Sequence, residues 1–308
     1  MSIARKSHPR GKPTRAIGTG VAPSPSRPGP ALALAGVRPS KSRGQNFLAN
    51  PKVAERIVAA AELDESDDVI EIGPGLGILT ERIVMHPHRS LTLVELEPRL
   101  SALLSDRFDA SVSVVNADIL STDITAIAPD PPVKIIGNLP FNVAAAILRR
   151  LSDNARLISR MVLMFQREVA ERIRARPGDR TYGALSVFTA LYWEIDMHFV
   201  VAAGSFHPRP KIDAEVLRFT PHATRRFAPQ HERTVLETIR ASFSAPRKTI
   251  RNALGHSLGL EADPVARALE TAAIDPGARA ETLALEDFLR LADAIRPDLS
   301  SRIASHDA

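Results

Sequence analysis

The 308-residue chain contains no cysteine, which excludes a disulfide scaffold, a thiolate metal site and a cysteine nucleophile together. It has no long apolar run either. The longest outside a turn signal, residues 31–37, is far shorter than the roughly 18 residues of a membrane span, so the sequence reads as soluble. No spacing of His, Asp or Glu suggests a metal site, and no segment repeats. Acidic residues are missing from residues 1–44, which hold nine Lys/Arg, seven prolines and six glycines. Such a stretch cannot bury enough surface to offset its ordering entropy, so residues 1–40 are expected to form a disordered basic tail. A transit peptide has a similar composition, but the prolines oppose the amphipathic helix such signals use. The rest of the chain carries 31 basic against 35 acidic residues, a net of −4 within the overall +5. Any grip on nucleic acid must therefore rest on local patches.

What is present is a regular alternation. Asn50-Pro51 opens a helix with Val53, Ile57 and Val58 on one face. Val69-Ile70-Glu71-Ile72, Leu91-Thr92-Leu93-Val94, Val112-Ser113-Val114-Val115 and Val133-Lys134-Ile135-Ile136 read as short buried strands, with helices expected at 79–84 and 99–108 between them. This predicts an α/β fold built on a doubly wound, Rossmann-like, mostly parallel sheet. A fifth strand is expected at 161–165, and late antiparallel strand material within 187–199 and 214–219. From about residue 221 the pattern is helical only, at 232–243, 247–258, 264–272 and 285–294. The division expected is a tail (1–40), a sheet domain (41–220) and a small all-α C-terminal domain (221–308).

Glu71-Ile72-Gly73-Pro74-Gly75-Leu76-Gly77 places alternate glycines directly after a strand, where backbone can approach a ligand closely and a helix N-terminus is electropositive. Glu95 follows the second strand, 22 residues after Gly73, where doubly wound folds put a carboxylate on a ribose. Asp118 follows the third, within reach of an adenine amine. Each acid alone is equally a loop residue, but three successive strand ends with the right group are not expected by chance. A nicotinamide-dinucleotide site needs Gly or Ala where Ile78 stands. The turn instead resembles the S-adenosylmethionine loop of class I methyltransferases.

Gly137-Asn138-Leu139-Pro140-Phe141 ends the fourth strand on the same edge. An exocyclic adenine amine is a poor nucleophile, so a site needs acceptors that hold its hydrogens and aim its nitrogen at the methyl. The Asn138 side-chain oxygen and Leu139 carbonyl suit that role, Pro140 stiffens the turn, and Phe141 offers a face for a flipped base. No general base is needed if the proton leaves after the methyl arrives.

These motifs together resemble the ribosomal RNA adenine dimethyltransferases of the KsgA type. The likeness runs over residues 41–255 and includes Gly44-Gln45-Asn46-Phe47-Leu48, Gln166-Arg167-Glu168, Phe206-His207-Pro208-Arg209-Pro210-Lys211 and Arg247-Lys248 with Arg251-Asn252. It implies a class I S-adenosylmethionine-dependent enzyme that dimethylates two adjacent adenosines in the 3′-terminal hairpin loop of small-subunit rRNA during subunit assembly. It also implies donor contacts from Asn46, Leu48, Gly73, Gly75, Glu95, Asp118 and Asn138. Phe141 stands where bacterial members usually carry Tyr, a variant found in mitochondrial relatives, and Pro246 replaces a usual basic residue.

Residues 149–182 carry nine Arg and four acids, and Arg247, Lys248 and Arg251 form a second cluster expected to bind rRNA from a helix. The expected partners are small-subunit rRNA and the immature small subunit, with a monomeric protein, no membrane, and a cytoplasmic location or the mitochondrial matrix. Two rival functions share the fold: a large-subunit rRNA adenine dimethyltransferase conferring antibiotic resistance, and a non-catalytic assembly or transcription factor. Intact Glu95, Asp118 and Asn138 argue against the second.

Overall fold

A computed structural model describes residues 28–39, 44–127, 130–245 and 247–306. Residues 1–27 of the expected tail, and Pro246, lie outside the described residues. The part of the tail that is described departs from expectation: Pro28–Leu34 form helix α1, with Leu32 only 1% exposed. The averaged composition of the tail concealed Ala31 and Leu32, whose buried side chains supply the surface that orders the helix.

After the two-residue strand β1 (Phe47–Leu48), helix α2 (Pro51–Ala59) starts as expected, with the Asn50 side chain accepting from the N–H groups of Lys52 and Val53. Strands and helices then alternate through β2 (Asp68–Ile72), α3 (Ile78–Ile83), β3 (Ser90–Glu95), α4 (Pro98–Arg107), β4 (Val112–Asn116), the short α5 (Ile124–Ile127), β5 (Val133–Asn138) and α6 (Ala144–Ser152). Next come β6 (Ile158–Gln166), α7 (Arg167–Ile173), α8 (Ala184–Tyr192), β7 (Trp193–Val201), β8 (Phe206–His207) and β9 (Ala214–Pro221). Seven strands form one sheet in the order β4-β3-β2-β5-β6-β9-β7. The first five run parallel and β9 antiparallel to both its neighbours.

Residues 187–192, expected to be strand, are the body of α8. Its start is fixed by the Ser186 hydroxyl, which accepts the Gly183 N–H at 3.1 Å, and its apolar residues 187, 188 and 191 lie on one buried helical face. The period-2 pattern of β6 divides the core: Met161, Leu163 and Phe165 face one apolar cluster, while Val162 and Met164 face another. The first cluster continues without a break into α9 (Glu232–Ser242), α10 (Ile250–Leu258), α11 (Ala262–Thr271) and α12 (Leu285–His306) through Ile239, Leu254, Leu269 and Phe288.

Candidate functional site

The parallel strands end along one edge, and the groups the sequence singled out meet there. After β2 the chain turns through Gly73, Gly75 and Gly77, all at positive φ. At Gly75 glycine is required twice over, by φ of 58° and because a Cβ would lie 2.9 Å from the Phe47 ring. The loop is braced from behind. Arg107 of α4 donates to the Leu76 carbonyl at 2.7 Å and pairs with Glu81 of α3. Glu71 is buried and accepts a hydrogen bond from the Thr80 hydroxyl at 2.6 Å. Burial pushes the Glu71 carboxyl up to about 8, opposed by the Thr80 hydrogen bond and aided by nearby Glu95, so it is largely protonated at neutral pH.

Glu95 closes β3 with its side chain locked. One carboxylate oxygen accepts the Gly75 N–H at 3.0 Å and the other the Glu97 N–H at 2.9 Å. Each oxygen keeps a lone pair for a further donor, which is what a pair of ribose hydroxyls requires. Burial raises its pKa, while these backbone hydrogen bonds pull the other way. Asp118, beyond β4, uses one oxygen to cap its own turn at the Leu120 N–H, 2.9 Å away.

At the end of β5 the Asn138 amide nitrogen donates to the Asn46 carbonyl at 3.0 Å. This fixes the amide's orientation and leaves Oδ1 buried with no hydrogen-bond partner among the described residues. Gly44, at φ 62°, presses on the same turn, where a Cβ would lie 2.8 Å from the Asn142 side-chain oxygen. The motif that follows Gly44 is held in place by β1, which pairs with β8.

Two cavities share Gln45, Gly73, Glu95 and Pro140 and so form one elongated cleft. One end is lined by Asn46, Leu48, Gly75, Asn138 and Leu139. The other is lined by Leu96, Asp118, Ile119 and Val143, an apolar slot with one carboxylate at its rim. Such a cleft fits a molecule with a polar amino-acid end, a ribose in the middle and a flat heteroaromatic base. S-adenosylmethionine has those parts in that order.

Nine of the expected residues thus converge: Asn46, Leu48, Gly73, Gly75, Glu95, Asp118, Asn138, Leu139 and Pro140. Phe141 lines neither cavity. Its ring is 9% exposed and packs edge-on against Phe206 with centroids 6.2 Å apart. Arg247, Lys248 and Arg251 are exposed, as an RNA contact needs, but only Arg251 lies within α10; the other two occupy the turn before it. Sequence reasoning missed Leu96, Ile119 and Val143 as lining and Glu81, Arg107 and Thr80 as braces. Leu96 carried a usable signal, an apolar residue directly after the acid expected to hold a ribose, and it is 57% exposed at the slot.

Residues 37–296 match the family model described as ribosomal RNA adenine dimethylase. The chain is 43% identical to the ribosomal RNA small subunit methyltransferase A of Syntrophotalea carbinolica over 84% of its own length and 98% of that protein's. It is 35% identical to the protein of the same name from Enterococcus faecalis, over 88% and 95% of the two lengths. Among solved structures, a dimethyladenosine transferase from Plasmodium falciparum superposes with TM-score 0.68 at 25% identity, covering 80% of this chain and 95% of that one. The 23S rRNA methyltransferase ErmE superposes with TM-score 0.60 at 28% identity, covering 82% and 100%.

Proposed function

The chain belongs to the ribosomal RNA adenine dimethylase family, and from that premise we propose how its strand-end residues methylate small-subunit rRNA. It is an S-adenosylmethionine-dependent rRNA adenine N6-dimethyltransferase. The donor supplies an electrophilic sulfonium methyl. Glu95 takes the ribose hydroxyls, Asp118 the adenine amine, and the 73–77 loop with Asn46 and Leu48 the methionine end.

The observation that carries the reading is Asn138. A buried amide oxygen with no partner costs on the order of 1–3 kcal/mol, which a fold retains where a ligand satisfies it. The amide nitrogen is already committed to Asn46, so the free oxygen can only accept, and it accepts a hydrogen of the target adenine N6. With the Leu139 carbonyl holding the second hydrogen, the nitrogen lone pair is directed at the methyl. As the N–C bond forms the methyl's bond to sulfur breaks and S-adenosylhomocysteine is the leaving group; the cationic nitrogen then gives its proton to solvent, and the amine so restored takes a second methyl from a second donor molecule. The Phe141 ring, packed against Phe206 beside this turn, is the face assigned to stack on the target base.

We place methyl transfer in residues 41–220 and rRNA binding in residues 221–308. Arg247, Lys248 and Arg251 crowd the N-terminal end of α10, where cations oppose the helix dipole. An anionic phosphate there relieves that repulsion. The protein acts as a monomer on immature small subunits in the cytoplasm. Relatives named for the small subunit support that substrate at 35–43% identity, against 28% for ErmE. The test is to incubate the protein and an Asn138→Ala variant with labelled donor and either immature small or immature large subunits, then map dimethyladenosine. Label confined to two adjacent small-subunit adenosines and lost in the variant is expected; label on the large subunit would establish the rival activity.

A further inference from the structure

Residues 28–36 precede the stretch that matches the family, yet Ala31 and Leu32 among them pack behind the wall of the cleft. Ala31, Leu32 and Val37 form a single buried apolar cluster with Phe47, Leu76 and Leu100, and the latter three all line the methionine end of the cavity. Phe47 is the ring that rests on Gly75 of the glycine loop. Leu32 therefore sits behind the residues that shape the loop.

Both ends of this segment are fixed. At the first, Gly29 lies against His207 of β8, where a Cβ would be 3.2 Å from Nε2. At the other, the Val37 N–H closes onto the Leu32 carbonyl at 2.8 Å, and Arg99 of α4 donates to the Gly36 carbonyl. The segment thus spans from β8 to α4 across β1, over the loop that precedes α3. A helix of seven residues does not hold itself together in water, so α1 is ordered by this docking alone.

We infer that α1 is a strap whose docking is coupled to occupancy of the methyl-donor cleft, with Leu32 and Arg99 as positioning residues for the donor. This rests on the reading of the cleft as the donor site. A ligand that needs Phe47, Leu76 and Leu100 in place favours the docked strap, and by reciprocity the docked strap favours the ligand.

The test uses the full chain, with S-adenosylmethionine and S-adenosylhomocysteine as probes. Leu32→Asp is expected to weaken donor binding about tenfold, a change of about 1.4 kcal/mol, mostly through faster release. Leu32→Met should restore it. Under turnover, KM for the donor should rise while KM for immature subunits stays the same, a split that general destabilisation does not produce. Amide exchange at Ala35 and Val37 should slow when the donor is added. If Leu32→Asp does not fold, Arg99→Gln carries the test, since it removes only the tie to Gly36; a rise of about threefold in donor Kd is expected, in proportion to one lost charged hydrogen bond at a partly solvated site. Donor affinity unchanged in a folded Leu32→Asp or in Arg99→Gln, or exchange indifferent to donor, overturns the strap. Glu95→Ala separates the two readings: if its donor affinity is unchanged the cleft itself is misassigned, and if it falls while the strap variants bind normally only the strap fails.

Discussion

Replacing Glu95 by alanine removes more than a ligand contact, and the structure allows the parts to be separated. The carboxylate is 6% exposed and satisfies the N–H groups of Gly75 and Glu97 before any donor arrives. In the proposed function its two remaining lone-pair directions serve the ribose hydroxyls. Loss of charge-assisted hydrogen bonds to the ribose costs on the order of 1.5–3 kcal/mol, which lowers donor affinity about tenfold to a hundredfold. Loss of the internal bonds frees two backbone N–H groups at about 1–3 kcal/mol each where water does not reach them, and this appears as lost stability. Glu95→Gln keeps the volume and one acceptor oxygen but turns an NH2 toward one of the two backbone donors. It should therefore retain most of the fold's stability and still bind donor poorly. Calorimetric titration with S-adenosylmethionine at fixed ionic strength gives the affinity, and thermal melts without donor give the stability. A folded Glu95→Ala protein with wild-type donor affinity would refute the ribose assignment, and with it the order in which the cleft holds the donor.

At the catalytic turn, Asn138→Ala should depress single-turnover methyl transfer to immature small subunits more than Phe141→Ala. Phe141→Ala should lose about 1–3 kcal/mol of transition-state stabilisation if the ring stacks on the base, with Phe141→Tyr active; a near wild-type rate for a folded Phe141→Ala would leave the ring a core residue only. Replacing Arg247, Lys248 and Arg251 together with alanine should flatten the salt dependence of subunit binding by roughly 0.7–0.9 log unit per lost phosphate contact, leaving donor affinity unaltered; an unchanged slope removes them from the interface. Glu71 titrates at about 8 in the fold against an ordinary 4.5, so the folded state holds a proton that the unfolded chain releases across that interval. Its contribution therefore lowers stability as pH rises from about 4.5 to about 8, by at most about 1.4 kcal/mol per pH unit. Glu71→Gln should flatten the pH profile of denaturant midpoints there; an identical profile would show that another group sets it.

Much of the fold was legible because its strands are short, continuous apolar runs bounded by turn residues, and helices separate them at regular intervals. Where the reading failed, a local signal was outweighed. In residues 187–192, Val187 and Phe188 suggested strand, yet the Ser186 capping contact and the run of apolar groups at helical spacing decided for α8. For α1 the composition of the whole tail hid Ala31 and Leu32, whose partners, Phe47, Leu76 and Leu100, lie 15 or more residues away in sequence.

The site divides along the same line. Gly73, Glu95, Asp118 and Asn138 were accessible because a parallel sheet brings every strand end to one edge, so position in the strand pattern is already position in space, whereas Asn46, ahead of β1 and outside that sheet, came only through the family resemblance. The braces have no such shortcut. Arg107 reaches the Leu76 carbonyl only because the end of α4 lies against the loop before α3, where Leu104 and Phe108 crowd Gly77, and nothing in either segment names the other. Phe141 marks the boundary between the two cases. Its place in the chain follows from the end of β5, but the direction of its ring is set by Phe206, which β8 brings in from 65 residues further along. A turn motif therefore fixes which atoms its backbone and Asn138 present, while the orientation of the aromatic beside them belongs to the tertiary fold.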